Sequence, residues 1–159
     1  MSLKVGDNFP SGVFRFKDEE GLKEVSTEDY FKSCKVVLFA LPGAFTPTCS
    51  AKHLPGFINN YDEIISKGVS KIACMAVNDP HVMRAWGEVS GVNGKIDMLS
   101  DSDCSVSKSL GLDHNFGKVL GHRSKRFAII VDNNVIKGLF VEEIGAFDVS
   151  TAENILNNL

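Results

Sequence analysis

The chain has 159 residues, 43% hydrophobic and 23% charged, with a formal net charge of −3. That is enough for one domain with a proper core, expected to span residues 1–159. The mild acidity argues against nucleic acid or an anionic membrane as the main partner, and no apolar run approaches the roughly 18 residues a membrane span needs. Lys4, Asp7 and Pro10 interrupt any apolar leader following Met1, which leaves open a targeting segment already removed.

In chain order, Val13 to Lys17 and Leu22 to Val25, joined through Asp18-Glu19-Glu20-Gly21, read as a hairpin. Ser26-Thr27-Glu28-Asp29 caps a short helix to about Phe31. The apolar run Lys35 to Leu41 is a buried strand stopped by Pro42, and helical periodicity then runs from Cys49 to about Lys67. Lys71 to Val77 is a second buried strand. Asp79 as N-cap with Pro80 at the first helical position starts a helix to about Val89. Ile96 to Leu99 is a short strand and Ser105 to Leu110 a short helix. Arg126 to Val131 and Val135 to Glu142 form a second hairpin, and Ser150-Thr151-Ala152-Glu153 is a capping box for a last helix. Alternating β and α elements predict an α/β protein with a central mixed sheet, helices on both faces and an N-terminal hairpin.

The four cysteines Cys34, Cys49, Cys74 and Cys104 are spaced by 15, 25 and 30 residues. No Cys-x-x-Cys pair exists, so neither structural zinc nor a thioredoxin-type dithiol is expected, and no metal or other cofactor is assigned. With no Asn-x-Ser/Thr sequon, reduced thiols in cytoplasm or an organelle matrix are the simplest expectation.

Cys49 stands apart from the other three. It follows the turn Pro42-Gly43-Ala44-Phe45-Thr46-Pro47-Thr48 at the start of a helix, with the Thr46 hydroxyl three residues before it. Unpaired backbone N–H groups and the positive end of the helix dipole favour a thiolate there. Taken one by one, the residues also have ordinary explanations: Cys49 an inert buried thiol, Thr46 a cap, Pro42 a strand terminator, Arg126 a solvated charge. His53 lies one turn after Cys49. A protease-like Cys–His pair would need a further orienting group, and none is evident, so a structural or interface histidine is expected.

Pro42-x-x-x-Thr46-x-x-Cys49, followed by His53-Leu54-Pro55-Gly56-Phe57, resembles the active-site signature of the peroxiredoxins, type V branch, which includes the plant type II enzymes. Val77-Asn78-Asp79-Pro80-His81-Val82-Met83-Arg84-Ala85-Trp86 and Lys125-Arg126-Phe127-Ala128 match further segments of that branch in the same order. The resemblance covers nearly the whole chain and implies a thioredoxin-like fold and a thiol-dependent reduction of hydrogen peroxide and alkyl hydroperoxides. It makes Cys49 the peroxidatic nucleophile, has Thr46 give its hydroxyl to the thiolate and the peroxide, sets Arg126 as the fixed cation, and uses Pro42 to shield the sulfur from water. Backbone N–H groups of Thr48 and Cys49 would complete the donor set. Phe45, Phe116, Val119 and Leu120, with Trp86, would form an apolar collar at the mouth, beside the contact that makes such proteins homodimers. For Trp86, core packing is an equal alternative.

The chain departs from many type V proteins in lacking a cysteine at Asp148-Val149-Ser150, before the last helix. The resemblance then implies a one-cysteine cycle recycled by glutathione and glutaredoxin. Cys74, at the branch's spacing but within an apolar strand, and Cys104, in a polar loop expected to be exposed near two aspartates, are the possible secondary thiols. The alternatives are a two-cysteine peroxidase recycled by thioredoxin, a peroxide sensor or chaperone that passes oxidation to a partner, and a thioredoxin-like disulfide reductase, which the missing Cys-x-x-Cys disfavours.

Overall fold

The computed structural model describes residues 3–159; Met1 and Ser2, where a leader would begin, lie outside the described residues. Strands β1 (Val13–Asp18) and β2 (Gly21–Ser26) form the expected hairpin. Ser26 Oγ accepts from the Asp29 N–H and starts α1 (Thr27–Phe31). Strand β3 (Lys35–Ala40) leads into a π-helical turn, Cys49–His53, continued by α2 (Leu54–Asn59) and α3 (Tyr61–Ser66). Strand β4 (Lys71–Ala76) precedes α4 (Pro80–Ser90), whose N-cap Asp79 accepts from the Val82 N–H as anticipated. Then come β5 (Ile96–Ser100), α5 (Ser105–Leu110), the short strands β6 (Asp113–Asn115) and β7 (His122–Ser124), the hairpin β8 (Phe127–Asp132) and β9 (Val135–Val141), and α6 (Ala152–Asn157).

The main sheet has the order β2-β1-β5-β4-β3-β8-β9, with β3, β4 and β5 parallel and the outer strands antiparallel to their neighbours. Residues alternate between its faces. Val37, Phe39, Ile72, Cys74, Ala76, Ala128 and Ile130 build one core with Cys49, Phe57, Trp86 and Ile155. Val36, Leu38, Ala40, Ala73, Met75, Phe127, Ile129 and Val131 build the other with Phe14, Tyr30 and Phe31. Burial on both faces is why the central strands read as unbroken apolar runs. No helix among the described residues is long and apolar enough to cross a membrane.

Three expectations change. The single helix from Cys49 to Lys67 is three pieces. Pro55 has no N–H, and its ring would crowd the carbonyl of Ala51 in a regular α-helix. The chain widens instead, and the Leu54 N–H bonds to the Cys49 carbonyl five residues back. A second break falls at Asn60, whose backbone N–H and Nδ2 both donate to the Gly56 carbonyl. The last helix is capped by Thr151 Oγ1, which accepts from the Asn154 N–H, and not by Ser150. The β6–β7 hairpin carries no apolar alternation and was not anticipated.

Candidate active site

Strand β3 delivers the chain into a turn that is held from several sides. Arg123, on β7, donates from Nη1 to the Pro42 carbonyl at 3.0 Å and from Nε to the Leu120 carbonyl at 2.8 Å. The absence of a side chain on Gly43 makes room for this arginine, because a Cβ there would collide with Arg123 Nη1 and displace it. Asn78 Oδ1, just past β4, accepts from the Ala44 N–H at 2.8 Å. Phe45 sits at φ +64°, in the left-handed region. Ser50 donates its N–H to the Thr46 carbonyl and accepts from Trp86 Nε1 at 3.0 Å, which ties the turn after Cys49 to α4.

Cys49 has no solvent-accessible surface. Arg126, the residue before β8, donates from Nη2 to Cys49 Sγ at 3.0 Å, and its Nη1 lies 2.8 Å from His53 Nδ1. A guanidinium has only donors, so Nδ1 accepts and the imidazole hydrogen sits on Nε2, which donates to the Ser150 carbonyl at 3.0 Å. Burial, and then the nearby Arg126 charge, push the His53 pKa down to about 3 against the opposing bond to Ser150, so this ring is neutral. The Phe147 ring lies under the same guanidinium, 5.7 Å from Cζ to centroid. Glu142 fixes the neighbouring loop: its Oε2 accepts from Asp148 N–H, Ser150 N–H and Ser150 Oγ, while its own N–H bonds to the Arg126 carbonyl. Burial works to raise the Glu142 carboxyl pKa, but the Ser150 bonds and the backbone N–H groups of Asp148 and Val149 outweigh it and hold the carboxyl below its ordinary range.

A cavity of about 220 Å³ lies over this cluster, lined by Pro42, Thr48, Phe116, Arg126 and the segment Glu142 to Ala146. The structure thus brings Pro42, Thr48, Phe116 and Arg126 to one cavity and bonds Arg126 to Cys49; Thr46 lies outside the lining, in the turn three residues before the sulfur. It does not bring Val119 or Leu120 into the lining; Val119 is 92% exposed on the β6–β7 connection, and Leu120 serves through its carbonyl. Phe45 also lies outside the lining, 56% exposed, and Trp86 beside it is core, 1% exposed. The Thr46 hydroxyl gives its hydrogen to the Gly43 carbonyl at 2.7 Å and not to the sulfur. The sequence reading missed Arg123, Glu142 and the wall from Glu143 to Ala146. The Gly145 break just past a strand was the available signal.

The other thiols are poorly placed. Cys74 is fully buried in β4. Burial raises its pKa well above the ordinary value, nearby Cys49 adds to this, and Arg126 opposes it. Cys104, expected in the open, is 7% exposed because the chain folds over it before α5. Burial raises its pKa first, then the charges of Asp101 and Asp113, with Lys108 and Ser107 opposing.

The family model for Redoxin matches residues 4–156. Peroxiredoxin-2D of Arabidopsis thaliana is 44% identical over 159 residues, covering 99% of this chain and 98% of its own length. The chain belongs to the peroxiredoxin family. It is similar to the crystal structure of reduced Prx3 from Vibrio vulnificus in complex with H2O2, with 44% identity, a TM-score of 0.95 and 98% of each chain covered. It is also similar to the Plasmodium falciparum antioxidant protein, a 1-Cys peroxiredoxin, with 30% identity, a TM-score of 0.90 and 96% of each chain covered. The peroxiredoxin fold is thioredoxin-like, as the sequence led us to expect, and the protein is a thiol-dependent peroxidase.

The neutral His53 sets an acid limit on this peroxiredoxin. Unfolded, the imidazole takes up a proton near its ordinary pKa of 6.5; folded, it does so only near pH 3. Stability is therefore full above pH 6.5 and falls as pH drops toward 3, by up to about 1.4 kcal/mol per unit. The lowered Glu142 carboxyl adds a loss in the same direction at the acid end. Denaturant unfolding at pH 5 should give about 2 kcal/mol less stability than at pH 7; a flat profile would contradict a buried neutral imidazole.

Proposed function

We propose that this peroxiredoxin reduces hydrogen peroxide and small alkyl hydroperoxides at Cys49 in a one-cysteine cycle recycled by glutathione and glutaredoxin. The observation that carries the peroxide step is the Arg126 guanidinium 3.0 Å from the buried Cys49 sulfur. In that step the Cys49 thiolate attacks one peroxide oxygen, the O–O bond breaks, and the sulfur becomes a sulfenic acid. The other oxygen leaves as water or alcohol after taking a proton. Negative charge moves from sulfur to the departing oxygen, and the permanent charge of Arg126 stabilises both. Because the Thr46 hydrogen is committed to Gly43, its oxygen accepts the peroxide O–H and aims the other oxygen at the sulfur. Pro42, without an N–H, and Phe116 put apolar surface on the cavity wall, and screening of these interactions by water is weaker on that side.

The buried positions of Cys74 and Cys104, and the absence of cysteine in the loop before α6, favour a thiol that comes from outside the chain. Glutathione attacks the sulfenic sulfur to give a mixed disulfide and water. Glutaredoxin, or a second glutathione, then attacks the disulfide and frees Cys49. The likeness to the 1-Cys protein of Plasmodium falciparum supports the same reading. The exposed Phe45 lies outside the cavity, available to a second copy of the chain in a homodimer. A reducing compartment, cytoplasm or organelle matrix, follows from the need for a thiol supply.

Cys49→Ser should abolish peroxide turnover; residual activity above a few per cent of wild type would place the chemistry elsewhere. Arg126→Ala should leave the fold intact yet slow Cys49 oxidation by about 10²–10³-fold, the scale of losing a transition-state donor, measured by stopped-flow with hydrogen peroxide. Steady-state peroxide removal should proceed with glutathione plus glutaredoxin and not with thioredoxin plus its reductase. Efficient turnover with thioredoxin alone would instead require a disulfide partner for Cys49.

A further inference from the structure

We infer that His53 is a positioning residue: as the Nε2–H tautomer it aims the Arg126 guanidinium at Cys49 without neutralising it, and ties that guanidinium to the Ser150 loop. The inference rests on Cys49 and Arg126 having the roles proposed above.

An arginine side chain is long and rotamer-rich, and the site holds competing partners for it. The exposed carboxylate of Glu143 lines the same cavity, and an arginine drawn to it would withdraw its charge from the sulfur. Something must therefore select the pose in which Nη2 meets Cys49 Sγ. Among the described residues Arg126 forms no salt bridge. Its second guanidinium contact is the neutral Nδ1 of His53, 2.8 Å from Nη1. A carboxylate in that position would orient the guanidinium equally well but would cancel the charge that the thiolate and the departing oxygen need. A neutral ring nitrogen orients and leaves the charge whole.

The acceptor is itself held rigidly. His53 is buried, and its ring centroid lies 4.9 Å from Phe39, 5.7 Å from Phe57 and 5.1 Å from Phe147. Its Nε2 donates to the Ser150 carbonyl, which fixes the tautomer and keeps Nδ1 free to accept. Ser150 is in turn held by two bonds to Glu142 Oε2. His53 also shares the π-helical turn with Cys49, so one short segment carries both the sulfur and the residue that aims its cation.

Two substitutions separate the functions of the ring. The amide of His53→Asn falls near Nδ1 and can still accept from Arg126. The amide of His53→Gln falls near Nε2 and can still reach the Ser150 carbonyl, but offers Arg126 nothing in the native place. The rate of Cys49 oxidation by hydrogen peroxide is measured by stopped-flow for both, for Arg126→Ala, and for His53→Gln/Arg126→Ala. Alkylation of Cys49 by uncharged iodoacetamide reports general loosening around the sulfur. We expect His53→Gln to slow the peroxide reaction by about 10²-fold with no faster alkylation, and His53→Asn to recover most of that loss. In the Arg126→Ala background His53→Gln should add little further slowing. Equal losses in the Asn and Gln variants, or additive losses in the double variant, would overturn the proposal and leave His53 a packing residue. A wild-type rate in His53→Gln with a slow Arg126→Ala would overturn it alone, whereas a wild-type rate in Arg126→Ala would remove the reading it rests on.

Discussion

A cation 3.0 Å from a sulfur that water cannot reach interacts with it far more strongly than the same pair would in solution, since little lies between or around them to screen the charge. Placing a guanidinium there also has a penalty, because half-burying it strips away water. The surrounding structure offsets that penalty with fixed dipoles and a ring face: the His53 nitrogen on one side, the Phe147 ring beneath, and the Glu142 N–H on the Arg126 carbonyl. The main chain of Arg126 is anchored by β9 and its tip by the π-helical turn, so the charge is held at both ends.

The segments that meet at this contact come from along the whole chain. Pro42 to Cys49 leaves β3, Asn78 follows β4, Trp86 is on α4, Arg123 is on β7, Arg126 precedes β8, Glu142 follows β9, and Ser150 precedes α6. The sheet supplies the frame on which these ends converge. Two buried faces set its register, because slipping a strand by one residue would exchange the two cores.

Features governed by local chemistry were legible in the sequence. The apolar runs of β3, β4 and β8, the Asp79 cap and Pro80, and the turn before Cys49 each carry their cause within a few residues. The family signature added Arg126, which local reasoning would not have separated from Arg123 or Arg84. What escaped depends on distant partners. Arg123 matters because of a carbonyl 81 positions away, and His53 because of Ser150, 97 positions away. Cys104 looked exposed because its neighbours are polar, yet Asp101 turns inward to accept from Val106, Ser107 and the Ser107 hydroxyl, folding the loop over the thiol. Thr46 was expected to face the sulfur, but Gly43, three residues back, takes its hydrogen first.

The π-helical turn has one further meaning. Such a turn is an α-helical turn with one residue too many, and the surplus residue rotates everything before it relative to everything after it. In a regular α-helix each residue advances the side-chain direction by about 100°. Without the surplus residue the sulfur would swing roughly a quarter-turn away from Arg126, and Pro55 would still oppose a regular α-helical turn there. The irregularity works as a phase shifter: it lets α2 keep its docking on the sheet through Leu54 and Phe57 while the helix start faces the guanidinium. A smoother helix here would turn the sulfur from its guanidinium and leave a worse place to break an O–O bond.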